Sequence, residues 1–124
     1  MWNNRVRPSR LAAVFGPQVP SVTPGELTTD AYLLDVREPE EWTAGHAPGA
    51  HHLPMMEVPA RMAEIPADGD VVVVCRSGNR SGKVVRYLMD NGWDNLRNLT
   101  GGMLQWAAEG RPVTAENGQT GHVI

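Results

Sequence analysis

"VVVVCRSGNRSGKVVRYL", residues 71–88, decides the fold. Four consecutive valines with no polar alternation describe a strand covered on both faces, as in a parallel sheet. From Ser81 to Asn91 the pattern turns helical: Val84, Val85, Leu88 and Met89 share one face, with Lys83, Arg86 and Asp90 opposite. Asn91-Gly92 supplies a left-handed stop. Between strand and helix lie six residues, Cys75 to Arg80, that begin with the only cysteine of the chain. Arg76, Arg80, Lys83 and Arg86 follow it with no acid among them.

Outward from this unit, the same alternation repeats. "TPGEL" (Thr23–Leu27) reads as a helix start, with Thr23 as cap, Pro24 in the first position and Glu26 reaching back. "AYLLDVR" (Ala31–Arg37) is a buried strand, and "EPEEWTAG" (Glu38–Gly45) one or two helical turns ending at glycine. "GAHHLP" (Gly49–Pro54) is a short strand at best, and "EVPARMAEI" (Glu57–Ile65) a short helix. "NLRNL" (Asn95–Leu99) is another strand, and "GGMLQWAAEG" (Gly101–Gly110) a glycine-started helix. Strands alternating with short helices specify an α/β domain with a largely parallel sheet. Ligands of such sheets bind beyond the carboxyl ends of the strands. Asp35-Val36-Arg37, Cys75 and Thr100-Gly101-Gly102 all fall there.

The 124 residues suit one compact domain. A formal net charge of −3 indicates neither nucleic-acid nor membrane binding, and no apolar stretch is long enough to suggest a span. A single cysteine excludes an internal disulfide and a cysteine-rich metal site, which favours a reducing compartment and a cytoplasmic location. Residues 1–16 carry Arg5, Arg7 and Arg10 without an acid and read as a basic arm; their apolar part is too short for a secretory core. With those 3 of the 11 basic side chains set aside, 8 remain against 14 acidic ones. The cations after Cys75 therefore run against their background. The expected organisation is an arm at 1–16, a domain at 17–113 and a loose polar tail at 114–124.

The loop has a definite chemical capacity. Ser77 and Gly78 are small, and Gly78 can take positive φ, so the chain can curl with its amide N–H groups inward. The unsatisfied N–H groups of the next helix add to this pocket for negative charge. A free thiol titrates near 8.5, and a helix start with adjacent arginine lowers that to between about 3.5 and 7.5. A reactive Cys75 thiolate is expected. Arg80 and Lys83 lie in the first turn, where a cation costs ~0.3–1 kcal/mol against the helix dipole; a bound anion would offset that cost.

Three ordered segments resemble the single-domain rhodanese (thiosulfate sulfurtransferase-like) family, from about Val22 to Val113. They are "LLDVREPEEWTAGHAPGAHHLP" (33–54), "VVVVCRSGNRS" (71–81) and "NLTGGMLQW" (98–106). Ala47 and His52 depart from residues common in that family and read as packing or strand-edge changes. The resemblance implies a three-layer α/β domain, with about five mostly parallel strands between helices. It implies a double displacement in which Cys75 takes the outer sulfur of a small anionic donor such as thiosulfate, holds it as a persulfide, and passes it to cyanide, a thiol or a protein acceptor. No metal and no organic cofactor are implied. Arg76, Ser77, Gly78, Asn79, Arg80 and Ser81 would form the substrate loop, with Arg76 and Arg80 drawing in the donor. Asp35 and Arg37 would support it from the neighbouring strand end.

Two other readings compete. A protein-to-protein sulfur carrier or docking module would show the same motifs. A cysteine-dependent phosphatase or arsenate reductase would have five residues between cysteine and arginine, whereas this chain has Arg76, Ser77, Gly78 and Asn79; the tighter ring suits one sulfur better than a phosphoryl group. His51 and His52 are neighbours on a strand, point to opposite faces and cannot chelate together. His46 reads as a loop-fixing residue, Trp42 and Trp106 as core anchors, and an Arg37–Glu41 ion pair is expected. Gly101-Gly102 permits a close turn near the Cys75 loop and lacks the fuller pattern of a nucleotide site.

Overall fold

The computed structural model describes residues 19–124. The basic arm, 1–16, lies outside the described residues. Five strands form one sheet: β1 (Ser21–Val22), β2 (Tyr32–Asp35), β3 (His51–His52), β4 (Val71–Val74) and β5 (Leu96–Leu99). Their order is β1-β5-β4-β2-β3, and every pairing is parallel. β4 is central. All four of its valines are buried, as a strand with helices on both faces requires.

Alternation along β4 divides the core in two. Val71 and Val73 join Leu34, Leu96, Val58 and Ile65 under the helix α3 (Asn79–Asp90), which contributes Val84, Val85 and Leu88. Val72 and Val74 join Leu33, Leu99, Met103 and Trp106 on the opposite face, beneath α4 (Gly102–Ala108). The remaining helices are short: α1 (Pro39–Ala44) follows β2, and α2 (Val58–Arg61) follows β3. The expected helix over 57–65 is thus one α-turn flanked by the tight turns Met55–Glu57 and Met62–Glu64. "TPGEL" is a single tight turn, Pro24–Glu26, in which a Glu26 carboxylate oxygen accepts the Thr23 N–H at 2.8 Å.

Residues 114–124 are pinned rather than loose. Thr114 exchanges hydrogen bonds with His46, and the His122 N–H donates to the Ala44 carbonyl at 3.0 Å. Backbone partners supply what the polar side chains do not. The expected Arg37–Glu41 pair is also corrected: Arg37 binds Asp35, while Glu41 binds Arg80. Arg37 sits beyond the end of β2 with its head turned back on that strand, so the partner two residues away is within reach.

Candidate active site

Cys75 is the first residue after β4, and it continues the alternation of Val71 and Val73. Its side chain therefore lies on the α3 side of the sheet, beneath the start of that helix. The loop carbonyls point the other way. The Met103 N–H donates to the Cys75 carbonyl at 2.9 Å and the Leu104 N–H to the Arg76 carbonyl at 3.0 Å. These are orphan donors of the first turn of α4, which finds its acceptors in the loop. Because a trans peptide holds its C=O and N–H on opposite sides, carbonyls committed to α4 leave the next N–H groups facing the sulfur. Gly78, at φ +104°, completes the curl.

The sulfur accepts the Gly78 N–H at 3.1 Å and lies 3.2 Å from Ser81 Oγ. Burial pushes the Cys75 thiol up. The Ser81 hydroxyl and the amides of Ser81, Gly78 and Ser77 outweigh it and hold the thiol below its ordinary value. Cys75, at the carboxyl end of the central strand, is 1% exposed. The cradle closes tightly around it.

The surrounding residues take several roles. Arg76, Ser77 and Asn79 are exposed; Arg76 also donates through Nε to the Ile124 carbonyl at 3.0 Å. Arg80 makes a two-pronged pair with Glu41, at 2.7 and 2.9 Å, so its charge is compensated within the fold. That pair ties the start of α3 to α1 and draws the Glu41 carboxyl below its ordinary value, chiefly through the Arg80 hydrogen bond. Asp35 and Arg37 are buried against each other at 2.7 Å, and Arg37 Nη2 also donates to the Gly45 carbonyl at 2.8 Å. They lock β2 to the end of α1. His52 Nε2 meets the Arg37 carbonyl at 2.8 Å, and its ring stacks on Trp42, which stacks on His46. Trp42 is a half-buried stacking partner, whereas Trp106 is core.

Three contributors were not singled out as site residues from sequence. Glu41 neutralises Arg80. Asn98, on the same face of β5 as Leu96, lies within hydrogen-bonding reach of Ser81 Oγ through its Oδ1 and donates through Nδ2 to the Gly78 carbonyl at 3.0 Å. Gly102 must lack a side chain, since a Cβ there would sit 2.4 Å from the Cys75 carbonyl oxygen. The glycine pair signalled this last contact; nothing in the local pattern signalled the other two. A cavity of about 430 Å³ shares Gly78 and Asn98 with the cradle and also meets Lys83 and Arg86, but Cys75 does not line it. The arrangement is chemically an anion cradle: converging N–H and O–H donors around one sulfur, with an exposed guanidinium at the loop.

Residues 24–109 match the family described as Rhodanese-like domain. A protein of Allochromatium vinosum named sulfurtransferase is 47% identical over 91 residues, which make up 73% of this chain and 85% of that protein. A rhodanese-related protein from Thermoplasma volcanium superimposes with a TM-score of 0.73 at 31% identity, covering 78% of this chain and 99% of that one. The thiosulfate sulfurtransferase from Pseudomonas aeruginosa gives 0.70 at 27% identity, over 86% of this chain and 22% of that chain.

Proposed function

The chain belongs to the rhodanese-like family, and from that premise we propose that it is a sulfurtransferase working through a persulfide on Cys75. The observation that carries this reading is the cradle: the sulfur meets the Gly78 N–H and the Ser81 hydroxyl at 3.1 and 3.2 Å, donors suited to an anionic sulfur. The Cys75 thiolate attacks the outer sulfur of thiosulfate. A new S–S bond forms, the sulfur–sulfonate bond breaks, and sulfite leaves with the bonding electron pair. The outer sulfur then carries the negative charge as a persulfide. A thiolate or cyanide acceptor attacks it, and the bonding electrons return to Cys75 as thiolate. Arg76, exposed at the loop, meets the incoming dianion; Arg80 shapes the loop from its pair with Glu41. Only four residues, Arg76 to Asn79, separate Cys75 from Arg80, a tighter ring than the five of the phosphatase signature, which weighs against phosphatase chemistry.

Mass spectrometry after incubation with thiosulfate tests the proposal. Cys75 is expected to gain the mass of one sulfur, to lose it on adding a reductant, and to show no gain as Cys75→Ser. No adduct from thiosulfate would overturn it. If an adduct arises only from a protein persulfide donor, the chain is a sulfur carrier.

A further inference from the structure

Ser81 has one hydroxyl proton and two claimants for it. Its Oγ lies 3.2 Å from Cys75 Sγ and within hydrogen-bonding distance of Asn98 Oδ1. Ser81 is wholly buried, so bulk water does not settle the competition. Asn98 cannot turn over to donate instead: its Nδ2 is committed to the Gly78 carbonyl at 3.0 Å, and the flipped amide would set two oxygens against each other.

We propose that Asn98 is a positioning residue that controls how Cys75 and Ser81 share protons. In the thiol state, the S–H points to Ser81 Oγ and the Ser81 O–H points to Asn98 Oδ1, so every donor is used. When the thiol proton leaves, the Ser81 O–H swings to the sulfur and Asn98 Oδ1 is left without it. Once the charge moves to the outer sulfur of a persulfide, the O–H returns to Asn98. Asn98 thus favours the uncharged inner sulfur, and the thiolate gains the Ser81 hydrogen bond only by taking it from Asn98. Among the described residues, the charged groups around the loop are Arg76 on the loop itself, Arg80 in the first turn of α3, Lys83 and Arg86 further along that helix, Glu41 on α1 and the Asp35–Arg37 pair at the end of β2. None of them changes in the test below.

The inference rests on Cys75 as the working nucleophile, but its test reads thiol titration alone, so it fails separately from sulfur transfer. The pH midpoint of alkylation by iodoacetamide, paralleled by thiolate ultraviolet absorbance, is compared in wild type, Asn98→Ala, Ser81→Ala and the double variant. Asn98→Ala is expected to lower the midpoint by roughly half to one pH unit, the worth of one net hydrogen bond. Ser81→Ala is expected to raise it, and in that background Asn98→Ala is expected to shift nothing further. Asn98→Leu, which removes the same polar groups while keeping the branched shape, is expected to match Asn98→Ala and serves if the smaller variant fails to fold. An unchanged or raised midpoint without Asn98 overturns the proposal, as does an equal shift whether or not Ser81 is present.

Discussion

At the residue scale, Cys75 and the Asp35–Arg37 pair are both buried polar groups, and each survives burial for a different reason. Donors that converge on Cys75 Sγ favour its thiolate and lower its titration despite burial. The alkylation midpoint of wild type is therefore expected below the ordinary value of about 8.5, and a midpoint at or above it would contradict the cradle. The linkage to stability follows the sign of that shift. A depressed acid stabilises the fold fully above its unfolded value, and the contribution is lost as pH falls through the folded one. Relative to Cys75→Ser, wild type should gain urea resistance as pH rises from neutrality toward about 9. Asp35 and Arg37 instead compensate each other at 2.7 Å with neither exposed. Asp35→Asn would strand a buried cation and should cost about 3–5 kcal/mol in chemical denaturation. The placement of Cys75 and of the Asp35–Arg37 pair at the carboxyl ends of neighbouring strands was legible in the sequence. The partners were not, because an i to i+4 pairing of Arg37 with Glu41 is the local guess, and the actual Glu41–Arg80 pair spans 39 residues.

At the scale of elements, the site is built by two helix starts acting on one loop. α3 presents its first turn to the sulfur, and α4 takes the loop's carbonyls from behind. Gly102 allows that approach, with φ at +56° and no room for a Cβ beside the Cys75 and Arg76 carbonyls, at 2.4 and 2.6 Å. Gly102→Ala should force the loop and α4 apart. The expected results are an alkylation midpoint moved up toward that of a free thiol and a stability loss above about 1 kcal/mol. An unaltered midpoint would show that the α4 contacts do not aim the amides. The long elements were readable because burial leaves a mark in composition, as in the valines of β4 and the apolar face of α3. β1 left none: two residues following Pro20, placed by pairing with β5, carry no period of their own.

At the scale of the molecule, residues beyond the family match brace the site from outside. The segment after Val113 folds back over the end of α1: the Glu116 N–H donates to the Thr43 carbonyl, that of His122 to the Ala44 carbonyl and that of Gly121 to the Val113 carbonyl. It reaches the loop itself where Arg76 Nε meets the Ile124 carbonyl at 3.0 Å. A polar, glycine-bearing sequence gives no hint of this, since all the contacts named here are made to or by the backbone. α1 carries Glu41, which holds Arg80, and ends at Gly45, whose carbonyl holds Arg37, so the segment stabilises both ion pairs indirectly. Deleting residues 120–124 removes three of these hydrogen bonds, those of Gly121, His122 and Ile124. At about 0.5–1.5 kcal/mol each the expected loss is roughly 2–4 kcal/mol. For a domain of this size that corresponds to a fall in Tm on the order of 10 °C, followed by far-ultraviolet circular dichroism. A Tm within a degree or so of wild type would show that α1 and its two ion pairs stand without the brace.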